Sequence, residues 1–284
     1  MGKNYRSELV GVFGCPIDEN PTGVMEEAGF AARGLDFRYI TIKVNEGDLG
    51  AAMQGLRAMN MRGINLTIPH KVEVLKYLDE LSEAAEIIGA VNVVVNNAGK
   101  LWGENTDGKG FLTSLKDAGV SPQGKTVMIL GAGGAARAIS VECALAGAAK
   151  IIIANRDSRR GQALVDLLKE KTPVAVEYIP WQGAIVVPQG THILVNATSV
   201  GLFPHVDQKP EIDYDTITAD MVVTDVIFND PNSLFLQAAA ARGAQTINGL
   251  GMLVNQGAVN FTLWTGEEAP LEIMTEALKR EFGL

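Results

Sequence analysis

The chain has 284 residues, of which 47% are apolar, and a formal net charge of −9 at pH 7. A chain of this length forms one large or two moderate domains around a sizeable core. The negative charge disfavours nucleic-acid binding, which needs a concentrated basic surface. We find no apolar run of the roughly 18 residues that cross a membrane, and no basic stretch followed by an apolar one at the N-terminus, so we expect no secretory leader.

The cysteines and histidines indicate which redox compartment the protein occupies and whether it binds a metal. Cys15 and Cys143 lie far apart in the sequence, which is typical of free thiols in a reducing compartment. The three histidines lack the paired spacing of a zinc site, so we expect no metal. We therefore predict a soluble cytoplasmic protein, monomeric or homodimeric, with a small-molecule substrate and no nucleic-acid or membrane partner.

Strand and helix patterns alternate through the first hundred residues. Apolar and β-branched runs predict strands, and longer periodic runs predict helices; in chain order these are strand 9–13, helix 21–33, strand 37–42, helix 49–59, strand 63–67 and helix 72–81. Such alternation indicates βαβ units and a largely parallel sheet. Residues 89–96 and 100–102 predict a short hairpin around Asn97-Ala98-Gly99.

A second alternating series follows a helix predicted at 107–118. It consists of strand 126–130, helix 135–146, strand 150–154, helix 159–171, strand 192–196, strand 221–226, helix 233–242, strand 245–247, and helices 252–265 and 270–282. The fold class is therefore α/β with two lobes. We predict a substrate-binding and catalytic domain over residues 1–108, a Rossmann-type dinucleotide-binding domain over 109–248, and C-terminal helices over 249–284 that return to the first lobe.

A glycine-rich turn opens the second series. Gly131, Gly133 and Ala136 have the G-x-G-x-x-[GA] spacing, directly after a predicted strand and at the start of a predicted helix. The first glycine allows a tight turn, the second lets backbone N–H groups approach a pyrophosphate, and the alanine permits close packing of helix on strand. Gly134 adds a third residue without a side chain to this loop. This context predicts dinucleotide binding.

The end of the next strand indicates which dinucleotide is bound. In such folds this end contacts the adenosine ribose, where an acidic residue binds the 2′-hydroxyl of NAD and an arginine binds the 2′-phosphate of NADP. The sequence offers Arg156 and, directly after it, Asp157. Asp157 would either repel a phosphate or cap the next helix. We expect NADP(H), with NAD(H) as the alternative.

Two polar stretches in the first lobe suggest proton-transfer chemistry. Asn65, Thr67 and Lys71 follow a predicted strand, and Asp107 begins a predicted helix. A lysine and an aspartate beside a nicotinamide form a proton-transfer pair, because the carboxylate orients the ammonium that gives or takes the hydroxyl proton. Taken singly, Lys71 is also compatible with a surface lysine and Asp107 with an N-cap.

Seven motifs in one order carry a family resemblance. They are NLTIPHK, GAVNVV, GENTDGKG, GAGGAARA, NRD, NATSVGL and GLGMLVNQGAVNFTLWTG. The chain resembles the shikimate dehydrogenase family, including its quinate/shikimate dehydrogenases and less well defined paralogues, nearly from end to end. A shikimate substrate would imply a place in aromatic amino acid biosynthesis.

The resemblance implies roles at matching positions. Lys71 and Asp107 would be the catalytic pair. Substrate hydroxyls would be held by Thr67, Asn92 and Gln256. The cofactor would be bound along its length by Gly131, Gly133, Gly134, Ala135, Asn155, Arg156, Thr198, Val226, Gly249 and Met252, with Asp157 beside the ribose.

The loop after the first strand departs from the family pattern. Family members read approximately G-N-P-I-x-H-S-x-S-P-x-M-H-N there, and the two serines bind the substrate carboxylate. This chain has Asn20 and Thr22 at the serine positions, Glu19 for the first histidine, and Glu26-Glu27 for the His-Asn pair. Phe228 stands where the family usually carries a tyrosine.

These departures bear on the substrate. Asn20 and Thr22 can still donate hydrogen bonds, whereas Asp18 and Glu19 oppose an anion and Phe228 removes one donor. We expect an NAD(P)-dependent dehydrogenase that interconverts a secondary ring alcohol and a ketone of the shikimate/3-dehydroshikimate type. Two alternatives remain: a paralogue acting on quinate or another cyclic polyol, including a neutral or amino-bearing one, and a dinucleotide-binding regulatory module without turnover.

Overall fold

The structure, a computed structural model, describes residues 5–284, and within them the chain forms alternating strands and helices. The strands are β1 (Glu8–Gly14), β2 (Phe37–Lys43), β3 (Gly63–Leu66), β4 (Glu80–Leu81), β5 (Val93–Asn97), β6 (Lys100–Glu104), β7 (Thr126–Leu130), β8 (Lys150–Asn155), β9 (Ala175–Pro180), β10 (Ile185–Val186), β11 (Ile193–Asn196), β12 (Ile212–Asp213), β13 (Val222–Asp225) and β14 (Gln245–Ile247). The helices are α1 (Thr22–Arg33), α2 (Leu49–Ala58), α3 (His70–Glu73), α4 (Glu83–Ile88), α5 (Asp107–Asp117), α6 (Gly134–Leu145), α7 (Ser158–Lys171), α8 (Leu234–Ala240), α9 (Gly249–Thr265) and α10 (Leu271–Phe282).

These elements form two compact units. The first comprises the described residues up to Thr106 together with Gln256–Leu284, and the second comprises Asp107–Asn255. Among residues 5–284, none of the helices combines the length and the apolar character needed to cross a membrane.

The first unit is built on a six-stranded sheet in the order β2-β1-β3-β5-β6-β4. β1 pairs in parallel with β2 and β3, whereas β5 runs antiparallel to both β3 and β6. The predicted hairpin is confirmed: β5 and β6 are joined by Ala98 and Gly99, both at positive φ (53° and 94°), as a tight two-residue hairpin turn requires. The sheet is therefore mixed and not largely parallel, because this hairpin occupies one side of it.

The predicted return of the C-terminal helices to this unit is confirmed. Phe261 of α9 stacks on Phe30 of α1 with ring centroids 5.3 Å apart. The indole N–H of Trp264 donates to the carbonyl of Val94 on β5 at 3.1 Å. Both aromatic residues of α9 are fully buried. The helix therefore contributes to the core of the first unit, and the hydrogen bond from Trp264 fixes its position along β5.

The second unit contains a six-stranded sheet in the order β14-β13-β11-β7-β8-β9, parallel throughout. Its central strands are continuous apolar runs; Val127, Ile129 and Ile151, for example, are fully buried, as is usual where helices cover both faces. The chain reverses its direction of progress across the sheet between β7 and β11. Ligands of doubly wound folds bind beyond the carboxyl ends of the strands at such a point.

One predicted helix is wrong. Residues 72–81 do not form a continuous helix; α3 is followed by a 3₁₀ turn over Val74–Tyr77 and then by the extended residue Leu78 and β4. β4 pairs with β6, with Glu80 opposite Trp102, and the Asp79 carboxylate accepts from the backbone N–H of Leu101 at 2.6 Å. Sheet pairing therefore overrides the helical spacing of the apolar residues.

Gly11 provides a test of this packing. A Cβ atom at Gly11 would lie 2.0 Å from the carbonyl oxygen of Ile40 on β2, and backbone cannot move aside as a side chain can. We predict that Gly11→Ala lowers the free energy of unfolding by about 1–3 kcal/mol, as overpacking does. Urea denaturation of the full chain measures this effect.

The matched control for Gly11 is Gly55→Ala on α2. A Cβ atom there would lie 3.6 Å from the Met59 side chain, an ordinary contact. Alanine is the better helix former by about 0.5–1 kcal/mol, so this variant should gain stability. Equal effects of the two substitutions would contradict the predicted clash between β1 and β2.

Candidate functional site

A continuous chain of buried amide and hydroxyl groups runs through the first unit. The Asn65 amide donates to the backbone carbonyl of Asn92 at 3.0 Å, and the Asn92 amide donates to the Thr106 hydroxyl at 3.0 Å. The Thr106 hydroxyl donates to the side-chain oxygen of Asn260 at 2.8 Å. The Asn260 amide N–H in turn donates to the side-chain oxygen of Gln256 at 3.0 Å. All five residues are buried. Two predicted substrate residues, Asn92 and Gln256, thus belong to one hydrogen-bond network.

The two predicted catalytic residues lie on α3 and at the start of α5. Lys71 is half-buried on α3, and its carbonyl accepts from the N–H of Val91 at 2.8 Å. Asp107 is half-buried and is the first residue of α5. The residue before it, Thr106, donates its own N–H to the side chain of Asn92 at 2.7 Å. Lys71 belongs to the first unit and Asp107 to the second.

Thr67 lies where β3 ends and α3 has not yet begun. Its N–H donates to the carbonyl of Phe13 at 3.0 Å, and its carbonyl accepts from the N–H of His70 at 2.8 Å. The ring of His70 is fully buried, with Nε2 2.8 Å from the carbonyl of Val44. The turn that presents Thr67 and Lys71 is therefore fixed at its base.

The loop residues Asn20 and Thr22 are both engaged at the start of α1. The side-chain oxygen of Asn20 accepts from the N–H of Thr22 at 3.0 Å. Thr22 is buried near the phenol of Tyr39, whose pKa is raised by burial and, less, by the nearby Glu26. Tyr39 in turn donates to the side-chain oxygen of Asn65 at 2.9 Å. The loop is thereby linked to the buried network through one tyrosine.

The second unit contains the glycine-rich turn at the carboxyl end of β7. Gly131 has a φ of +111°, and its N–H donates to the carbonyl of Ala154 on β8 at 2.7 Å. Gly133 and Gly134 are exposed, with no atom within 4 Å of where a Cβ would stand. Ala135 follows in the first turn of α6. The open glycines and the free N–H groups of a helix start fit a pyrophosphate, so this turn can hold a dinucleotide.

The end of β8 resolves the two interpretations of Asp157. Its carboxylate accepts from the N–H groups of Arg159 and Arg160 at 3.0 and 3.2 Å, which caps α7. The hydrogen bond from Arg160 is the main cause of the lowered pKa of Asp157. The Asn155 amide donates to the carbonyl of Asp157 at 2.8 Å, and Arg156 between them is exposed. Asp157 is thus occupied as a cap beside an exposed arginine.

Predicted cofactor residues also follow β11 and β13. Thr198 donates to the side-chain oxygen of Asn196 at 2.7 Å, and the N–H of Val226 donates to the Asn196 carbonyl at 3.1 Å. Asp225 accepts from the Asn196 amide at 2.9 Å and from Ser233 at 2.7 Å. Burial raises the pKa of Asp225 to about 6, and these hydrogen bonds oppose that rise. The loops at this edge are therefore held by a buried carboxyl group.

The remaining predicted cofactor residues lie on α9. Gly249 is buried, and a Cβ there would lie 2.4 Å from the carbonyl oxygen of Ile227. Its N–H donates to that same carbonyl at 3.2 Å. Met252, one turn further, is half-buried, as is Phe228 after β13. Glycine is required at 249 because the helix begins in contact with the backbone of the preceding strand's loop.

Comparisons with known proteins agree along the whole chain. The family model for the shikimate dehydrogenase substrate binding domain matches residues 12–94, that for shikimate / quinate 5-dehydrogenase matches 115–200, and that for the shikimate 5′-dehydrogenase C-terminal domain matches 249–279. A shikimate dehydrogenase (NADP(+)) from Desulforamulus reducens is 40% identical over 281 residues, which cover 98% of this chain and 97% of that protein. The chain belongs to the shikimate dehydrogenase family.

Two solved structures show how the family varies at this level of similarity. The ligand-free 5-ketofructose reductase of Gluconobacter sp. strain CHM43 is 48% identical, with a TM-score of 0.93, covering 98% of this chain and 100% of that one. Shikimate 5-dehydrogenase from Listeria monocytogenes in complex with shikimate and NAD is 36% identical, with a TM-score of 0.91 and 97% coverage of each chain. The chain is therefore similar, over nearly its whole length, to proteins named for two different substrates.

Several residues at these sites had no predicted role. Tyr39, Asn260 and Asp225 link predicted residues to one another, and Glu26 is fully buried beside Thr22. Asn260 and Asp225 lie inside stretches that carry the shikimate dehydrogenase resemblance, so the sequence offered a signal for them. Tyr39 lies in an ordinary strand pattern, and nothing in the sequence distinguishes it from other aromatic strand residues.

Proposed function

We propose that the chain is an NADP(H)-dependent reductase of an uncharged polyhydroxylated ketone, able to run in reverse as a secondary-alcohol dehydrogenase. Within this proposal the first unit holds the substrate and the second holds the cofactor. Membership of the shikimate dehydrogenase family supports the reaction class. The observation that carries the choice of substrate is the replacement of the family's two serines by Asn20 and Thr22, with the Asn20 oxygen bonded to the Thr22 N–H.

The cofactor assignment rests on the fit of the glycine turn. Gly133 and Gly134 leave open space in front of the first turn of α6, and Gly131 adopts the left-handed conformation of a tight turn. When bound, a nicotinamide dinucleotide supplies the hydride to the substrate carbonyl or accepts it from the alcohol. Arg156 would bind the 2′-phosphate of NADP, since Asp157 is engaged as a helix cap and accepts hydrogen bonds from backbone.

Proton transfer is assigned to Lys71 and Asp107. The carbonyl of Lys71 and the N–H of Thr106 are both bound to the Val91–Asn92 segment, and Asp107 is the next residue in the chain. In the reduction, the Lys71 ammonium would give its proton to the substrate oxygen while hydride reaches the carbonyl carbon, so ketone becomes alcohol. The Asp107 carboxylate would orient the ammonium, and the amino end of α5 favours its negative charge.

The substrate assignment follows from the donors of the first unit. A substrate carboxylate needs several charge-assisted hydrogen bonds, each worth about 1.5–3 kcal/mol. In this chain Asn20 and Thr22 replace the two serines of the family, the Asn20 oxygen accepts from the Thr22 backbone N–H, and Phe228 has no hydroxyl. Asn92 and Gln256, which suit hydroxyl groups, are retained in the buried network. The 48% identical 5-ketofructose reductase is named for a ketose without a carboxylate.

Reduction of 3-dehydroshikimate is the second candidate function. The observation that favours it is the 40% identity, over nearly the whole chain, to a protein named shikimate dehydrogenase (NADP(+)). The same pair of residues and the same cofactor would serve both substrates. The two candidates differ only in whether the loop before α1 must bind a substrate carboxylate.

A substrate panel distinguishes the candidates. We predict that NADPH oxidation at 340 nm shows a kcat/KM for 5-ketofructose at least tenfold above that for 3-dehydroshikimate, because the family's two serine donors are replaced and Phe228 offers no hydroxyl donor. Shikimate, quinate and several inositols, each with NAD and NADP, test the reverse direction. Higher efficiency with 3-dehydroshikimate would favour the second candidate. Tight cofactor binding without any turnover would indicate a regulatory module.

The proton-transfer assignment makes a prediction about rate. Lys71→Met should lower kcat by about 10²–10⁴-fold, the usual contribution of a positioned acid or base, while the dissociation constant of NADPH changes little. Asp107→Asn should lower kcat less, because it only orients the ammonium. Lys76→Met, an exposed lysine of the following turn, is the matched control and should retain wild-type kcat. Full activity of Lys71→Met would refute the assignment.

Cofactor preference tests the end of β8. Removing charge-assisted hydrogen bonds to a phosphate costs about 1.5–3 kcal/mol, so Arg156→Ala should raise the KM for NADPH about ten- to hundredfold and leave that for NADH within threefold. Asp157→Asn keeps an oxygen for capping α7 and should lower the KM for NADPH. Arg160→Ala, on the exposed face of α7, serves as the control. An unchanged NADPH preference in Arg156→Ala would show that the phosphate binds elsewhere.

A further inference from the structure

Glu26 is a buried carboxyl group that none of the roles above uses. It lies on α1, is fully buried, and neither of its oxygen atoms has a hydrogen-bond partner among residues 5–284. A buried polar group without a partner costs about 1–3 kcal/mol. Proteins retain such groups mainly where they serve a ligand or function, so Glu26 requires an explanation.

Within residues 5–284, no lysine, arginine or histidine side chain hydrogen-bonds the Glu26 carboxyl. The titratable group facing it is the phenol of Tyr39 on β2, whose pKa the Glu26 carboxyl helps to raise. From α9 it is faced by Gly257, where a Cβ atom would lie 3.4 Å from Glu26 Oε1. Burial raises the pKa of Glu26 well above its ordinary value. Burial therefore favours the neutral form of the group, which has one O–H donor and one carbonyl acceptor to satisfy.

The position of Glu26 associates it with the substrate residues of the first unit. It follows Thr22 by four residues on α1, so the two side chains share a face, and helical side chains lean toward the N-terminus of the helix. Its contact on α9, Gly257, directly follows Gln256. The carboxyl group thus lies between the helix turn that carries Thr22 and the turn that carries Gln256.

The two carboxyl oxygen atoms of Glu26 that have no partner indicate which ligand group would satisfy them. A hydroxyl group both donates and accepts, so it can satisfy the O–H and the carbonyl of a neutral carboxyl together. A carboxylate offers only acceptors and would leave the Glu26 carbonyl oxygen facing another oxygen. We propose that the Glu26 carboxyl recognises a hydroxyl group of the uncharged substrate and thereby contributes to selection against carboxylate-bearing substrates. This inference rests on the proposed function of the first unit.

The test compares two replacements of Glu26 in the full chain. Glu26→Leu removes both polar atoms, whereas Glu26→Gln keeps one donor and one acceptor without a titratable proton. We expect Glu26→Leu to raise the KM for 5-ketofructose at least tenfold with kcat changed less than threefold. We expect Glu26→Gln to restore KM to within threefold of wild type. Glu46→Gln, an exposed glutamate of the same unit, is the control.

Two further readouts separate recognition from a merely structural role. The wild-type KM should rise as increasing pH ionises Glu26, because the donor is lost, and this rise should be absent from the profile of Glu26→Gln. The carboxyl has a raised pKa in the folded state, so its contribution to stability is lost as pH rises toward that pKa. Glu26→Leu should therefore melt at or above the wild-type temperature at neutral pH, since an unpartnered buried carboxyl is removed.

The outcomes are distinct. If wild type reduces 5-ketofructose and Glu26→Leu has a KM within threefold of it, the proposal for Glu26 is overturned and the missing partner is an ordered water. If both replacements raise KM equally and lower the melting temperature, Glu26 is structural and the proposal also fails. If wild type turns over no member of the panel, the proposed function fails first, and the inference about Glu26 falls with it.

Discussion

The buried contact between Asn92 and Thr106 is the constraint on which the first unit depends. Asn92 accepts from the backbone N–H of Thr106 and donates to its hydroxyl. A single side-chain amide therefore fixes both the backbone and the side chain of Thr106. Thr106 then bonds Asn260 of α9. Hydrogen bonds in such a connected, water-poor network strengthen one another, and an unsatisfied member is costly. The segment that leads into α5 is therefore held in one position by β5 and α9.

The second unit relies on a different constraint, the geometry of strand ends. The loops after β7, β11 and β13 all leave the sheet at its carboxyl edge, where parallel strands bring residues distant in sequence together. Asn196 and Asp225 join two of these loops through one hydrogen bond of 2.9 Å. The glycine turn needs no such bond, because its conformation is set by the left-handed φ of Gly131. Rigid edges and an open turn together suit an extended ligand.

Much of this arrangement could be predicted from the sequence, because the relevant signals are local. The glycine spacing after β7, the two alternating series and the turn at Asn97-Ala98-Gly99 each depend on neighbouring residues. The helix predicted over 72–81 was wrong because the pairing of Glu80 with Trp102 is set by a strand twenty residues away. β9 and the short strands β10 and β12 were missed, since their edge positions expose alternate residues and weaken the apolar signal.

The candidate sites show the same difference between local signals, which the sequence carries, and contacts between distant residues, which it does not reveal. The sequence left the role of Asp157 open between repelling a phosphate and capping a helix, and only the bonds to Arg159 and Arg160 distinguish these roles. The hydrogen bond from the Tyr39 hydroxyl to Asn65 was beyond prediction, because the two residues lie on different strands. Substitution patterns identify which residues changed. They do not show that a retained hydroxyl group is directed toward another side chain.

Chemistry and recognition are physically separable in the first unit. The backbone of Lys71 and that of Thr106 are both bound to the Val91–Asn92 segment, whereas Asn20, Thr22 and Glu26 belong to α1 and the loop before it. Tyr39, which lies near Thr22, hydrogen-bonds Asn65, which in turn donates to the carbonyl of Asn92. Side chains at the start of α1 can therefore change without disturbing the atoms that position Lys71 and Thr106. Under the proposed function, the same pair of catalytic residues would then serve substrates with and without a carboxylate.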